Sequence, residues 1–369
     1  MRPFNPKTLF SLAAVGVLAL SACGEAPEEE PENENTETAE NGEAAEAPED
    51  VDFTACLVSD AGGWDDQSFN ESAYNGLQNA IEDFDIDSNT AESSSEADFG
   101  PNVDAMVQQG CDLTFGVGFM LEDAVDEAAL ANEDLSFGLI DSTFPSDPEN
   151  GKALVFNTAE AAYLAGYVAA ATSETGVVAT FGGIQIPSVT VFMDGFADGV
   201  DRYNTDNGAE VQLLGWDKES QNGSFSGDFE DQNAGRTLTE QFLAQDADIV
   251  MPVAGPVGLG AAAAIEDHGD ALLIWVDTDG YESTDYGDII LTSVMKQIPQ
   301  AVYDTIEEAV AGEFSSEPYI GDLENEGVGL APFHDYEDEV DGEVKEKIDE
   351  LIEEIISGET VVESENAPQ

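Results

Sequence analysis

The sequence predicts an α/β protein made of two doubly wound parallel sheets. Short apolar runs of strand type alternate regularly with segments of helical spacing, the pattern of parallel sheets covered by helices on both faces. About a dozen such elements occur, more than one doubly wound sheet holds. The chain has 369 residues, a length that favours two domains over one.

The elements follow one another in order. Residues 53–59 form a short apolar strand, and residues 69–84 carry Ala73, Leu77, Ile81 and Phe84 on one helical face. Strand 113–117 precedes helix 121–131, and strand 137–140 precedes an Ala-rich helix, 159–172, broken in composition only by Gly166. The alternation continues as strand 176–181, helix 189–203, strand 211–216, helix 234–243, strand 249–253 and helix 259–267. Strands 272–276 and 289–292 then lead into helix 301–311. Residues 344–356 place Val344, Ile348, Leu351, Ile352, Ile355 and Ile356 along a single stripe, a helix with one face to bury. Residues 361–369 read as a solvated tail.

Composition narrows the function. Eighty Asp and Glu stand against nine Lys and Arg, a formal net charge of −71. Nucleic-acid binding needs clustered cations, and so does adhesion to an anionic membrane through a basic patch; neither fits. Apolar residues still make up 42%, enough for a packed core. Such a charge suits an acidic, halophilic protein working in concentrated salt, where at ~1 M the Debye length shrinks to ~3 Å and self-repulsion is screened.

The N-terminus reads as an export signal. Arg2 and Lys7 precede an apolar run, residues 9–20, too short to span a bilayer comfortably. Leu20-Ser21-Ala22-Cys23 follows, small residues before a cysteine, as in a lipobox. Residues 1–22 are therefore expected to be a signal peptide and Cys23 the lipidated first residue. Residues 24–50 hold eleven Glu and one Asp but no aromatic and no cation. Such a segment cannot order itself, so 23–51 is expected to be an acidic disordered tether.

With Cys23 lipidated, Cys56 and Cys111 are left as an even pair in an exported chain. A disulfide between them and two buried thiols on neighbouring strands both fit. No CxxC and no cluster of metal ligands occurs, so neither metal nor cofactor is expected. His268 and His334 lie among acids and read as solvated.

In open parallel sheets, ligands bind beyond the carboxyl ends of the strands. Those ends here are Asp60-Ala-Gly-Gly-Trp-Asp-Asp-Gln-Ser-Phe-Asn70, Gly116-Val-Gly-Phe119, Asp141-Ser142, Gly182-Gly183, Ala254-Gly255-Pro-Val-Gly258 and Asp277-Thr-Asp279. Glycines admit close backbone approach, and Phe69 offers a flat face to a ring. Neither GxGxxG nor GxxxxGK[ST] is present, and acidic strand ends repel phosphate. The ligand is expected to be uncharged or cationic, with several hydroxyls. Lys296 stands out as one of few cations, set in the apolar context Thr292-Ser-Val-Met-Lys-Gln-Ile298. A partly buried ammonium needs acceptors, which Asp277 or Asp60 could supply.

Asp60-x-Gly-Gly-x-x-Asp-x-Ser-Phe-Asn70 resembles the opening motif of the basic-membrane-protein (Bmp/PnrA-type) substrate-binding lipoproteins. The resemblance continues through Phe137-Gly-Leu-Ile-Asp-Ser142, Glu160-Ala-Ala-Tyr-Leu-Ala-Gly-Tyr167, Phe181-Gly-Gly-Ile-Gln-Ile-Pro187, Gly195-Phe-Ala-Asp-Gly-Val200 and Leu291-Thr-Ser-Val-Met-Lys296, covering roughly residues 52–360. It implies a type I periplasmic-binding-protein fold whose two lobes are joined by a three-strand hinge. Lobe 1 would take residues 52–157 and 278–312, lobe 2 residues 158–277 and 313–360, with 361–369 as a tail. It implies a monomer on the extracytoplasmic face of the cell membrane, held by lipid on Cys23, capturing a nucleoside, often a purine nucleoside, for ABC transporter permease subunits. Phe69 would stack on the base, Asp60 line its edge, Ser68 and Asn70 flank the stack and Asp141 contact the base. Asp277 and Lys296 would hold the ribose hydroxyls, and Gly255 and Gly258 admit backbone to the sugar. Met251 stands where the family often has an aromatic, and would pack on the second face of the base.

Two rivals are a pentose receptor of the same fold and an exported nucleoside hydrolase. Asp65 and Asp66 could serve the hydrolase as paired carboxylates, but adjacent acids on such a turn more often cap the next helix. No nucleophile elbow or Ser/His/Asp set supports catalysis, so a non-enzymatic binder is expected.

Overall fold

A computed structural model describes residues 52–368. The expected signal peptide, Cys23 and the acidic tether lie outside the described residues.

The first half runs β1 (Thr54–Ser59), α1 (Phe69–Phe84), β2 (Asp87–Ala91), α2 (Glu96–Gln109), β3 (Leu113–Val117), α3 (Glu122–Ala131), β4 (Ser136–Ile140) and β5 (Gly151–Phe156). The second runs α4 (Thr158–Thr172), β6 (Val177–Gly182), α5 (Pro187–Asn207), β7 (Gln212–Leu214), β8 (Trp216–Asp217), β9 (Asn222–Gly223), α6 (Gln232–Leu243), β10 (Ile249–Val253), α7 (Val257–His268), β11 (Leu272–Asp277), the single turn α8 (Gly280–Ser283) and β12 (Ile290–Lys296). The chain closes with α9 (Ile298–Val310), β13 (Tyr319–Gly321), β14 (Val328–Leu330) and α10 (Gly342–Ile356).

Two six-stranded sheets result, ordered β13-β5-β4-β3-β1-β2 and β14-β12-β11-β10-β6-β7. The first is parallel throughout. The second is parallel except at its edge, where β14 runs antiparallel to β12. Strand alternation sorts the core. In β1, Ala55 and Leu57 face α1, whereas Cys56 and Val58 face α2 and α3 with Phe99, Val103 and Val125. In the second sheet, Phe181, Val250 and Trp275 face α7, and Val178, Met251 and Ile274 face α4 and α5.

The chain passes between sheets three times: between β5 and α4, between β12 and α9, and between β13 and β14. These crossings correct the expected lobe boundaries. The chain leaves the second sheet only after Lys296, because β12 pairs with β11; a boundary at 278 would cut that pairing. Residues 319–321 add β13 beside β5, so the return falls after 321 rather than at 313.

Helices α4 and α5 pack unusually close. A Cβ on Gly166 would lie 2.1 Å from the Phe196 carbonyl oxygen, and one on Gly199 2.0 Å from that of Tyr163. The glycines are what let the two backbones touch. Helix α10 buries Ile348, Leu351 and Ile355. Cys56 and Cys111 are disulfide-bonded, with Cα atoms 6.0 Å apart, tying β1 to the start of β3.

Two further expectations are corrected. His334 is not a free solvated side chain: its Nε2 lies 2.7 Å from Asp279 and its ring stacks on Tyr281, with centroids 4.0 Å apart. Nor are residues after 360 merely solvated. Val362 is buried and Ser364 donates to Asp194 at 2.6 Å. An apolar residue and a hydroxyl with a buried acceptor give this segment a docking site that its polar composition hides.

Candidate functional site

The carboxyl ends of both sheets face each other across a cavity of about 530 Å³, its open mouth included. That size falls in the ordinary range for small-molecule sites. The loop after β1 supplies Asp60, Ala61 and Asp66, and the first turn of α1 supplies Phe69 and Asn70. Gly118 and Phe119 follow β3, and Asp141 follows β4. From the second half come Ile186, Ser188, Val189 and Phe192 of the α5 entry, Phe229, the β10 end with Gly255 and Pro256, Asp277 and Lys296.

Lys296 is the charged centre. Its side chain is 3% exposed, and its Nζ pairs with Asp141 and lies 3.4 Å from Asp277. The same nitrogen lies 5.1 Å from the Phe69 ring centroid and 5.0 Å from that of Phe192. Burial pulls the ammonium pKa down, but the two carboxylates outweigh it and hold the pKa above the ordinary lysine value. Lys296 is therefore a fixed cation between two carboxylates from opposite halves. Asp141 and Asp277 both have left-handed backbone, φ 61° and 71°. That turn is unusual for a non-glycine and swings each carboxylate off its strand end into the cavity.

Asp60 behaves differently. It is buried with no cation beside it, and burial pushes its carboxyl to about 8 despite a hydrogen bond from Asn70 Nδ2 at 3.1 Å. It is thus mostly protonated at neutral pH and can both donate and accept. Gly118 makes room for it; a Cβ there would fall 2.1 Å from Asp60 Oδ2. Asn70 Oδ1 is buried and accepts no hydrogen bond among the described residues. Burial raises Asp66 to about 6, against backbone donations from Glu71, Asn70 and Ser68. Those three amides belong to the start of α1, so Asp66 does the capping expected of the Asp65–Asp66 pair, while Asp65 is exposed.

Of the residues singled out in the sequence, Asp60, Phe69, Asn70, Asp141, Gly255, Asp277 and Lys296 meet at this cavity. Ser68 lies behind it, donating to Asp277 Oδ2 at 2.9 Å and bridging the two halves. Met251 does not reach it. It is fully buried against α4 and α5, and the strand arrives at the cleft two residues later, at Val253. Gly258 is also outside, its small size serving Trp275, whose ring would lie 2.9 Å from a Cβ. Sequence reading missed Phe192 and Phe229. Phe192 sits among Val189, Met193 and Phe196, a spacing that reads as helix core; Phe229 is an aromatic flanked by Asp228 and Glu230 in a loop, which was its only signal. Among the described residues, no His, Cys, Asp or Glu group is placed to hold a metal, and no helix is long and apolar enough to cross a membrane.

Comparison with known proteins bears on this cleft. A family model described as ABC transporter substrate-binding protein, PnrA-like (Bmp), matches residues 53–366. The chain is 30% identical to the ABC transporter nucleoside-binding protein BmpA of Lactococcus lactis, over 85% of this chain and 90% of that one. It is 31% identical to basic membrane protein A of Borreliella burgdorferi, over 82% and 86% of the two chains. Among solved structures, an ABC transporter solute-binding protein from Aeropyrum pernix K1 superposes with a TM-score of 0.76 at 25% identity, covering 84% of this chain and 94% of that one.

Proposed function

The chain belongs to the PnrA-like (Bmp) family of ABC transporter substrate-binding proteins, and from that premise we propose that it captures a nucleoside, a purine nucleoside foremost, between its two halves. The observation that carries this reading is the chemistry of the cavity between the sheet ends. A phenyl face from Phe69, a donor–acceptor edge from Asp60 and Asn70, and a fixed ammonium between two carboxylates converge there. A flat heterocycle fits between aromatic and apolar walls, with its polar edge at Asp60 and Asn70. Vicinal hydroxyls suit Asp277, which can accept, and Lys296, which can donate.

Capture works by population shift. Ser68–Asp277 and Lys296–Asp141 already join the halves, and a ligand contacting both favours the closed arrangement the permease would read. Lipid on Cys23 would hold the protein at the extracytoplasmic face of the membrane, with the acidic tether as spacer; it would act as a monomer and carry out no chemistry.

Thermal unfolding of the full chain in ~2 M NaCl, near-complete screening, tests this against nucleosides, free bases, ribose and other pentoses. Inosine or adenosine at a hundredfold excess over Kd should stabilise by about 2.7 kcal/mol. Lys296→Ala and Asp277→Ala should abolish the shift. Equal stabilisation by ribose alone would replace the nucleoside with a pentose, and release of free base on incubation would make the protein a hydrolase.

A further inference from the structure

Beyond the ligand cavity lies a second chamber of about 920 Å³, its openings included. Phe119, Asp141, Ser188 and Lys296 line both. The second chamber's further lining includes Glu122, Ser142, Thr158 and Val191 together with Asn366, Ala367 and Pro368 of the C-terminal segment. The C-terminal segment therefore lines the same chamber as the Asp141–Lys296 pair although it is far from it in sequence. Its docking is built rather than incidental. Val362 is buried, the Glu363 carbonyl accepts from Lys218, and Asn366 Nδ2 donates to Gln221 at 3.2 Å. Ser364 Oγ donates at 2.6 Å to Asp194, a fully buried carboxylate whose other donors are Trp216 at 3.0 Å and Gln221 at 2.9 Å. Asp194 belongs to α5, the helix whose first turns bring Ser188, Val189 and Phe192 to the ligand cavity. The segment is anchored on the second half, and its end faces Phe119, Glu122 and Ser142 of the first.

We propose that residues 362–368 are a strap that closes a second opening of the ligand site, so that ligand exchange through this side requires the strap to lift. The proposal rests on the cleft being the ligand site. A carboxylate buried without a cation is satisfied only while its neutral donors stay in place, so Asp194 is what latches the strap down. Thr158 Oγ1, buried and without a partner among the described residues, lies in the wall the strap covers.

Two measurements on the full-length chain test the strap, comparing it with a variant ending after Glu363 and with Ser364→Ala. The first is the inosine dissociation rate by stopped-flow fluorescence. Shortening should raise it on the order of tenfold, since affinity differences between close variants fall mainly in the off-rate, and Ser364→Ala should lie between. The second needs no ligand: Ser142→Cys places a thiol in the chamber, and its rate of maleimide labelling, corrected for the parent chain, should rise when the strap is shortened. Unchanged labelling and an unchanged off-rate would overturn the strap. If the full chain binds no nucleoside, the nucleoside reading fails while thiol labelling still decides the strap. If the shortened chain unfolds, Ser364→Ala carries the same comparison, and equal rates there would overturn the latch.

Discussion

At the scale of single residues, the cleft sets two carboxyl types side by side. Asp141 and Asp277 face a buried ammonium, whereas Asp60 has only an amide and a desolvated pocket. Removing Lys296 would leave Asp141 and Asp277 buried and facing one another. Lys296→Ala should therefore cost about 3–5 kcal/mol in denaturant unfolding, the range for a broken buried pair, besides abolishing ligand binding. Loss of binding with no loss of stability would show that the pair is not the structural tie described here. Asp60 gives a pH prediction of definite sign. Its folded value of about 8 lies above its ordinary 3.8, so the protonated form suits the fold. The stability it contributes is complete below ~pH 4 and is lost as pH rises through 8. Asp60→Asn should come closest to the parent below ~pH 4 and unfold at an increasingly higher temperature than the parent as pH rises to ~9; a difference that does not vary with pH would refute this protonation state. Much of this site was legible in the sequence, because glycine and acid at strand ends have few structural uses. Met251 misled because strand periodicity places it and Val253 on the same face, and only the last residue of that face reaches the cleft.

At the scale of elements, the apolar spacing of residues 69–84 and 249–253 located α1 and β10 to the residue, since each buries one clear face or both. Most of the elements missed bury little or break a rule; β5, buried along its whole length, was missed as well, because its Gly151-Lys152 start leaves only a four-residue apolar run. β2 is the polar edge strand Asp87–Ala91, and α2 carries Gly100 and Pro101 inside it. β13 and β14 have three residues each, and exist because the sheets offer them edges after the crossings. Gly166, the one composition break noticed in α4, turns out to be a contact point with α5. Gly199→Ala would press a methyl onto the Tyr163 carbonyl and force the helices apart, costing about 1–3 kcal/mol as overpacking. Since α5 also lines the cavity and holds the strap, the same variant should weaken nucleoside stabilisation; an unchanged unfolding midpoint would mean that α4 and α5 can separate freely. The Cys56–Cys111 bridge closes a loop of 55 residues between β1 and β3. Replacing both cysteines by alanine should lower stability by about 2–4 kcal/mol, read as a lower denaturation midpoint under oxidising conditions than the parent shows.

At the scale of the whole molecule, the charge distribution makes the fold conditional on its solvent. Every Lys and Arg among the described residues is in an ion pair: Lys152 with Glu308, Arg202 with Asp206 and Glu354, Lys218 with Asp198, Arg236 with Glu240 and Asp267, Lys345 with Glu337, Lys347 with Glu350 and Glu354, and Lys296 in the cleft. The described residues hold no spare cation with which to neutralise the acids left unpaired, and dissolved cations are a further source of screening. At 0.1 M salt the Debye length is ~10 Å, comparable to the spacing of charges across the molecule, and at 1 M it is ~3 Å. Folding brings these acids together, so repulsion opposes it at low salt. The unfolding midpoint should rise between 0.1 and 2 M NaCl, and the unbound protein should be most fragile at low salt and high pH. Salt also strengthens apolar burial, which would raise the midpoint whatever the charge. The two causes separate by pH. Near pH 4.5, close to ordinary carboxyl values, many acids are protonated and repulsion is relieved without salt. If repulsion is the cause, the gain from 2 M NaCl should shrink sharply at pH 4.5 relative to pH 7.5. An equal gain at both would assign the salt dependence to burial and remove the acidic surface from the account of stability.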